Sequence, residues 1–288
     1  MGYEPLDVPL RAGGSSGVPT DTPWPAPERA QPDLLETLKR NGGGRFREAV
    51  WPIYGETPSG AAMAIGSCVL VRWHGTHFLL TAAHITDNRS ATHLYIRGAP
   101  LVHLHGEIIY SVEVSGRRDT DPYDFAILPL APDILDKLAE GVQFVDETQF
   151  TQHSETVGRL YTVVGFPLSK NKRMDRPERR VHATRYSFSN IGLAYDASLG
   201  LPNGGADHIL LGYGKFSVNE EGRRTHSVAP RGMSGGGVID SGHLGDPAVQ
   251  AGRLVPVPSL AGIMIERRKE PHILVCTRIG TILTRVLR

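Results

Sequence analysis

A histidine, an acid and a serine occur in this chain in settings that could make each of them reactive. The first setting is Phe78-Leu79-Leu80-Thr81-Ala82-Ala83-His84, an apolar run followed by two small residues and an imidazole. Small residues let the backbone turn tightly and leave the ring without a bulky neighbour. The second is Asp121-Pro122-Tyr123-Asp124-Phe125-Ala126-Ile127-Leu128, an acid immediately before an apolar run. An acid in that place is held rigid and partly desolvated, as a carboxylate that orients a histidine must be. The third is Arg231-Gly232-Met233-Ser234-Gly235-Gly236-Gly237, a serine ringed by glycines. Glycine adopts dihedrals closed to other residues, so such a loop can present the hydroxyl and turn several amide N–H groups toward one point. Taken singly, each pattern has a commoner structural reading: a packing histidine, a turn acid, a glycine loop. Asp121 competes with Asp124 for the acid role, and Asp124 is preferred because the apolar run begins directly after it.

Elements must carry these residues. The 288 residues suit one large domain or two small ones. Short β-type runs alternate with turns through most of the chain, among them Ser67–Trp73, His77–Ala82, Phe125–Leu130, Leu160–Gly165, Ser259–Ile265 and His272–Thr277. With 33 glycines and 21 prolines to make the turns, the pattern reads as an all-β barrel or sandwich. Helical signals are few: Pro32–Arg40, ended by Gly42 to Gly44, then Asp133–Glu140, and Arg278–Leu287 with its apolar residues on one face. Residues 1–48 read as a flexible arm, with a linker composition at Gly13–Gly17 and prolines at 23, 25, 27 and 32.

In this order and together, the three settings resemble the chymotrypsin/trypsin-like serine protease family. Its marks are T-A-A-H, D-[IFL]-A-[IL]-L and G-x-S-G-G. Gly66-Ser67-Cys68-Val69-Leu70 is similar to the family's G-[ST]-G-x-[LIV] strand, and the likeness covers roughly Ala49 to Arg288. The resemblance implies an all-β fold of two six-stranded antiparallel β-barrels with a short C-terminal helix. The first barrel would span 49–145 and hold His84 and Asp124; the second would span 146–288 and hold Ser234. It implies a serine endopeptidase acting on a protein or peptide substrate, with Ser234 as nucleophile, His84 as general base and Asp124 orienting the imidazole. The N–H groups of Gly232 and Ser234 would form the oxyanion hole, and no cofactor or metal would be needed. A substrate pocket is expected from Val228, from Ile265-Glu266-Arg267 and from Leu274, favouring a small or medium apolar residue before the cleaved bond. Two departures bear on regulation. Met233 stands where many secreted members have an acid that pairs with a new N-terminus, and Ile85 stands where they often have a cysteine. The chain is therefore similar to a disulfide-free, intracellular-type branch. The alternative is a catalytically silent or partner-gated regulatory module on the same fold.

Other features bound the function. A formal net charge of +1 argues against a nucleic-acid partner. No apolar run reaches a membrane span, and Met1 to Arg11 lacks a signal-type apolar region, so a cytoplasmic location is expected. The two cysteines, Cys68 and Cys276, exclude a disulfide framework or a thiolate zinc site and read as buried apolar residues. His103 and His105 lie on one face of a strand and could begin a metal site. No third ligand is evident nearby, so the pair reads as an exposed strand. The basic run Lys170–Arg180 reads as a solvated loop, with docking of an acidic partner as the sharper alternative; a regulatory protein partner docked by the arm is a separate reading.

Overall fold

The computed structural model describes residues 32–57, 60–98, 101–111, 120–171, 183–218 and 224–286. A helix, α1 (Pro32–Arg45), leads into the first of two antiparallel sheets. That sheet holds β1 (Val50–Glu56), β2 (Ala62–Trp73), β3 (Thr76–Ala82), β4 (Tyr95–Ile96), β5 (Val102–His103), β6 (Ile109–Tyr110) and β7 (Phe125–Pro129), in the order β5-β4-β1-β2-β3-β7-β6. One more short strand, β8 (Val145–Asp146), pairs in parallel with β2. A single helical turn, α2 (Ala83–Thr86), follows β3, and another, α3 (Pro132–Leu135), follows β7.

The second sheet holds β9 (Arg159–Gly165), β10 (Tyr186–Ile191), β11 (His208–Gly212), β14 (Gly237–His243), β15 (Ser259–Arg268) and β16 (Ile273–Arg278). Their order is β10-β9-β14-β15-β16-β11. Between β11 and β14 a separate hairpin pairs β12 (Phe216–Val218) with β13 (Arg224–His226). The turn α4 (Pro247–Gln250) precedes β15, and the helix α5 (Ile279–Val286) follows β16. The edges of this sheet meet: Gly192, just past β10, bridges Leu211, and Leu193 N donates to Leu210 O at 2.8 Å. The six strands thus curl into a barrel.

The expected architecture of two β-bodies with a short C-terminal helix stands. The first sheet has eight strands where six were expected; four of them (β4, β5, β6 and β8) are only two residues long. The strand β1 gave no signal, since Pro52 and Gly55 interrupt its pattern. Pro52 is tolerated because β1 pairs continuously with β2 but meets β4 only at Tyr54, which leaves an unpaired side for a residue without N–H. The expected helix at 133–140 shrinks to the single turn α3.

The helix α1 runs five residues past the expected stop at Arg40, through all three glycines to Arg45. Contact explains the glycine at 42. A Cβ there would lie 2.3 Å from Ser241 Oγ and 2.7 Å from Thr162 Oγ1, so only glycine lets the helix approach β9 and β14 this closely. Leu38 is buried with Leu160, Leu244 and Val249. Part of the expected flexible arm is therefore docked on the second sheet; residues 1–31 lie outside the described residues, as does the basic run from Lys172. Among the described residues no helix is long and apolar enough to cross a membrane.

One apolar cluster joins the two bodies, with Val50, Val69 and Leu80 of the first sheet packed with Val164, Ile239 and Ile263 of the second. The strands at its centre are buried on both faces; all seven residues of β9 are buried. The loops that carry chemistry hang from this rigid junction.

Candidate active site

His84 is delivered by the end of β3. Ala82 and Ala83 are fully buried, and their small side chains let the strand pass directly into α2. β3 and β7 are antiparallel neighbours, with Ala82 opposite Phe125. This pairing brings together His84 and Asp124, which lie 40 residues apart. The carboxylate engages the histidine twice: His84 N donates to Oδ1 at 3.0 Å, and the ring Nδ1 donates to Oδ2 at 2.6 Å. A carboxylate only accepts, so a proton sits on Nδ1, and in the neutral ring this tautomer leaves the lone pair on Nε2. The imidazole side chain is 43% exposed and the carboxylate side chain 15%, which leaves the ring open on the far side from its acid.

Asp124 has a φ of +40°, a strained backbone for a residue other than glycine. Its surroundings hold it there. Ala83 N donates to Asp124 O at 2.9 Å. From the second sheet, Thr277 Oγ1 donates to Tyr123 O at 2.6 Å and His208 Nε2 to Pro122 O at 2.7 Å. Burial lowers the pKa of His208, opposed by the bond to Pro122, so the ring stays neutral in that role. Asp121 does different work: it accepts from Ser111 Oγ and from Tyr123 N at 3.0 Å, closing the turn that precedes β7.

The serine loop is fixed through its carbonyls. Pro230 O accepts from Met233 N, Arg231 O from Leu168 N, Met233 O from Gly236 N and Ser234 O from Ser67 N, all at 2.8 or 2.9 Å. Gly232 O accepts from Ser67 Oγ at 2.7 Å, and Gly235 N donates to Met264 O at 2.7 Å. In a trans peptide C=O and N–H point opposite ways, so the bond from Leu168 to Arg231 O turns the Gly232 N–H outward. Among the described residues, neither Gly232 N–H nor Ser234 N–H donates to any protein acceptor. Gly232 has φ +93°, and a Cβ on it would lie 2.8 Å from Phe166 O. At Gly235, φ +83°, a Cβ would lie 2.3 Å from Thr81 Oγ1 and 3.0 Å from Ala82 N. The loop therefore lies against the end of β3 that carries His84. The Ser234 hydroxyl itself makes no hydrogen bond among the described residues, so its contact with His84 Nε2 is not closed in this state.

A family model described as a trypsin-like peptidase domain matches residues 66–244. The chain belongs to the trypsin-like peptidase family. Among solved structures it is similar to a serine endoprotease from Yersinia pestis, with 13% identity and a TM-score of 0.46. That match covers 88% of this chain and 64% of the other, so the chain spans less than two thirds of that protein's length. A search of the curated proteins finds no match.

In this member of the family Met233 is fully buried, packed with Tyr161, Val163, Tyr213 and Leu274. Apolar packing thus holds the position where many secreted members carry an acid. Ser67 is the residue the sequence did not single out for the site. It is fully buried, donates to Gly232 O, and accepts from Phe166 N at 2.9 Å. It ties the first sheet, the segment after β9 and the serine loop into one unit. Its motif marks a strand, and nothing local shows that its hydroxyl reaches residues 99 and 165 positions away. Removing it strands a buried N–H and a buried C=O, at about 1–3 kcal/mol for each such group. Ser67→Ala is expected to lower stability by about 2–6 kcal/mol for the two groups and kcat about ten-fold at a nearly unchanged KM. Denaturant melts and steady-state kinetics on a peptide substrate read both; a KM effect alone would remove Ser67 from a positioning role.

The expected pocket residues fall into two groups. Val228 is half-buried, and its carbonyl accepts from Tyr213 Oη. Arg267 lies with its guanidinium 5.7 Å from the Tyr213 ring centroid, and Ile265 is buried at a bulge in β15. Glu266 is exposed and pairs with Arg268 at 3.1 Å. Leu274 is buried with no exposed surface, opposite Arg267 in the β15–β16 ladder.

The remaining expectations concern cysteine and histidine. Both cysteines are free and buried, and burial pushes their thiol pKa values up. His103 meets His93 edge-on, with ring centroids 5.0 Å apart, and lies tilted against His105 at 5.9 Å. Burial, then the neighbouring rings, lowers its pKa. Among the described residues no group of three or more potential ligands could hold a metal.

Proposed function

We propose that the chain is a serine endopeptidase that cleaves peptide bonds through Ser234, His84 and Asp124 by way of an acyl-enzyme. The observation that carries this reading is the pair of unpartnered N–H groups on Gly232 and Ser234, held outward on a serine loop packed against the strand that delivers His84. On binding of substrate, Ser234 Oγ attacks the scissile carbonyl carbon as its proton passes to His84 Nε2. The carbonyl oxygen becomes an anion and takes hydrogen bonds from Gly232 and Ser234; one such donor is worth about 2.7–4 kcal/mol in the transition state. His84 then gives the proton to the leaving amine as the C–N bond breaks. Water, deprotonated by the same Nε2, releases the acid and restores the serine. Asp124 holds the ring and stabilises the imidazolium. The open contact between Ser234 and His84 does not oppose this, because such contacts close in the substrate complex. A fluorophosphonate probe should add its mass to the Ser234 peptide of the folded protein. Absence of labelling at every serine would favour the silent-module reading.

The same open contact favours a second reading, that a partner gates the activity by closing it. Met233 needs no new N-terminus, so activity is proposed to arise with residues 1–48 attached.

At the cleaved bond, the apolar Val228 favours a small or medium apolar side chain; Leu274 has no exposed surface with which to line the slot. A lysine or arginine there would lose its hydration at a cost of several kcal/mol without an acid to receive it, since Glu266 is turned to Arg268. A peptide library varied at that one position is expected to show the greatest turnover after residues such as Ala, Val or Leu. Dominant cleavage after Arg or Lys would overturn the pocket assignment.

A further inference from the structure

A cavity of about 490 Å³ opens beside the start of α5, with Thr151, Asn203, Asp207, Arg278, Thr281 and Arg285 in its wall. The acids around it are already engaged. Asp240 takes Arg159 Nε at 2.8 Å and Thr151 Oγ1 at 3.2 Å. Asp207 accepts from Tyr123 Oη at 3.2 Å, from Thr281 Oγ1 at 3.0 Å and from Asn203. Burial raises its pKa, but these bonds outweigh it, and the carboxyl stays below its ordinary value.

The cations are not matched. Arg278 is only 8% exposed. One guanidinium nitrogen donates to Thr156 Oγ1, while Nε and Nη1 have no acceptor. Among the described residues Arg278 forms no ion pair. An unpaired buried guanidinium is strongly unfavourable, so its persistence points to a missing counter-charge. Arg285 is exposed and sits 3.5 Å above the Tyr123 ring, on the same wall. Gly280 and Thr281, in the first turn of α5, line the cavity as well, and a helix N-terminus adds positive potential there.

We propose that this cavity binds a small organic oxyanion, with a phosphate or carboxylate group that supplies the counter-charge for Arg278 and Arg285. The volume falls in the range of small-molecule sites, roughly 300–1,000 Å³, and exceeds what a bare inorganic ion fills. Arg278 is part of the cavity wall and its Nε and Nη1 have no acceptor, so a bound anion would supply one. The site is separate from Ser234 and His84; its nearest link to them is Tyr123, the neighbour of Asp124.

The test uses the full chain and does not depend on turnover. Thermal melts and titration calorimetry are run with inorganic phosphate and, in parallel, with succinate, each against sodium chloride at matched ionic strength. One or both should raise Tm saturably by about 3 °C at excess ligand. Saturation by phosphate alone assigns a phosphate group, and by succinate alone a carboxylate. Arg285→Gln, an exposed change, should reduce the affinity at least ten-fold, and Arg278→Gln should abolish the shift. If Arg278→Gln does not fold, Arg285→Gln decides alone. Equal melts in phosphate, succinate and chloride, or an affinity that is unchanged in Arg285→Gln, would overturn the proposal.

Discussion

Ser234→Ala is expected to lower peptide turnover by about three orders of magnitude or more, because members of a nucleophile–base unit fail together when one is removed. The fold should be unaffected. The hydroxyl makes no hydrogen bond among the described residues, and the bonds that set the loop run through its backbone. The variant therefore loses the attacking oxygen and nothing that the loop needs. Circular dichroism and a melt within about 1 °C of the parent chain establish folding, and kcat on a peptide substrate gives the result. Undiminished hydrolysis by the folded variant refutes the nucleophile assignment. Gly235→Ala provides the contrast. A Cβ there would lie 2.1 Å from Ser67 O, so that change should damage the loop itself and depress stability together with activity.

His84, Asp124 and Ser234 were legible because each sits in a local pattern whose chemistry does not depend on distant residues. The histidine needs small neighbours, the acid needs a strand behind it, and the serine needs glycines. What holds them in place was not legible. Ser67 acts through a hydroxyl that crosses from one sheet to a loop of the other, and Leu168 fixes the Gly232 peptide with a backbone N–H, which no side-chain type reveals. The strain at Asp124 is supported by Thr277 and His208 from β16 and β11, again across the junction. The α1 glycines misled for a related reason: they mark helix ends in isolation, but here Gly42 serves a tertiary contact that overrides propensity. The substrate pocket was the least legible part. The β12–β13 hairpin intervenes between β11 and the serine loop, and whether Leu274 faces a slot or the core depends on a bulge in its partner strand at Met264–Glu266.

Asp124→Asn should cost on the order of 10⁴ in kcat, the size of effect that loss of the orienting carboxylate has in serine proteases with this triad. The argument is one of protons. Asp124 accepts twice from His84, from the backbone N–H with Oδ1 and from ring Nδ1 with Oδ2. An asparagine has one accepting atom and one donating group. If its oxygen keeps the backbone bond, its amide faces Nδ1 and can be satisfied only if Nδ1 gives up its proton. The ring then carries the proton on Nε2, where it cannot accept one from Ser234. The backbone should tolerate the change, because Asn is among the residues that best accept the left-handed φ found here, +40°. A folded protein with an intact serine loop and a wrong tautomer is the expected state. Asp121→Asn is the control. Its acid closes a turn with Ser111 and Tyr123, so stability should fall while kcat stays within about ten-fold of the parent, since no proton of His84 depends on it. Parent and variants are compared across pH 5 to 9. The parent should gain activity with rising pH, because His84 can take the serine proton only as a neutral ring. Asp124→Asn should stay low throughout, because a neutral ring of the wrong tautomer is no better a base. A loss below ten-fold in Asp124→Asn, or a larger loss in Asp121→Asn, would move the orienting role away from Asp124.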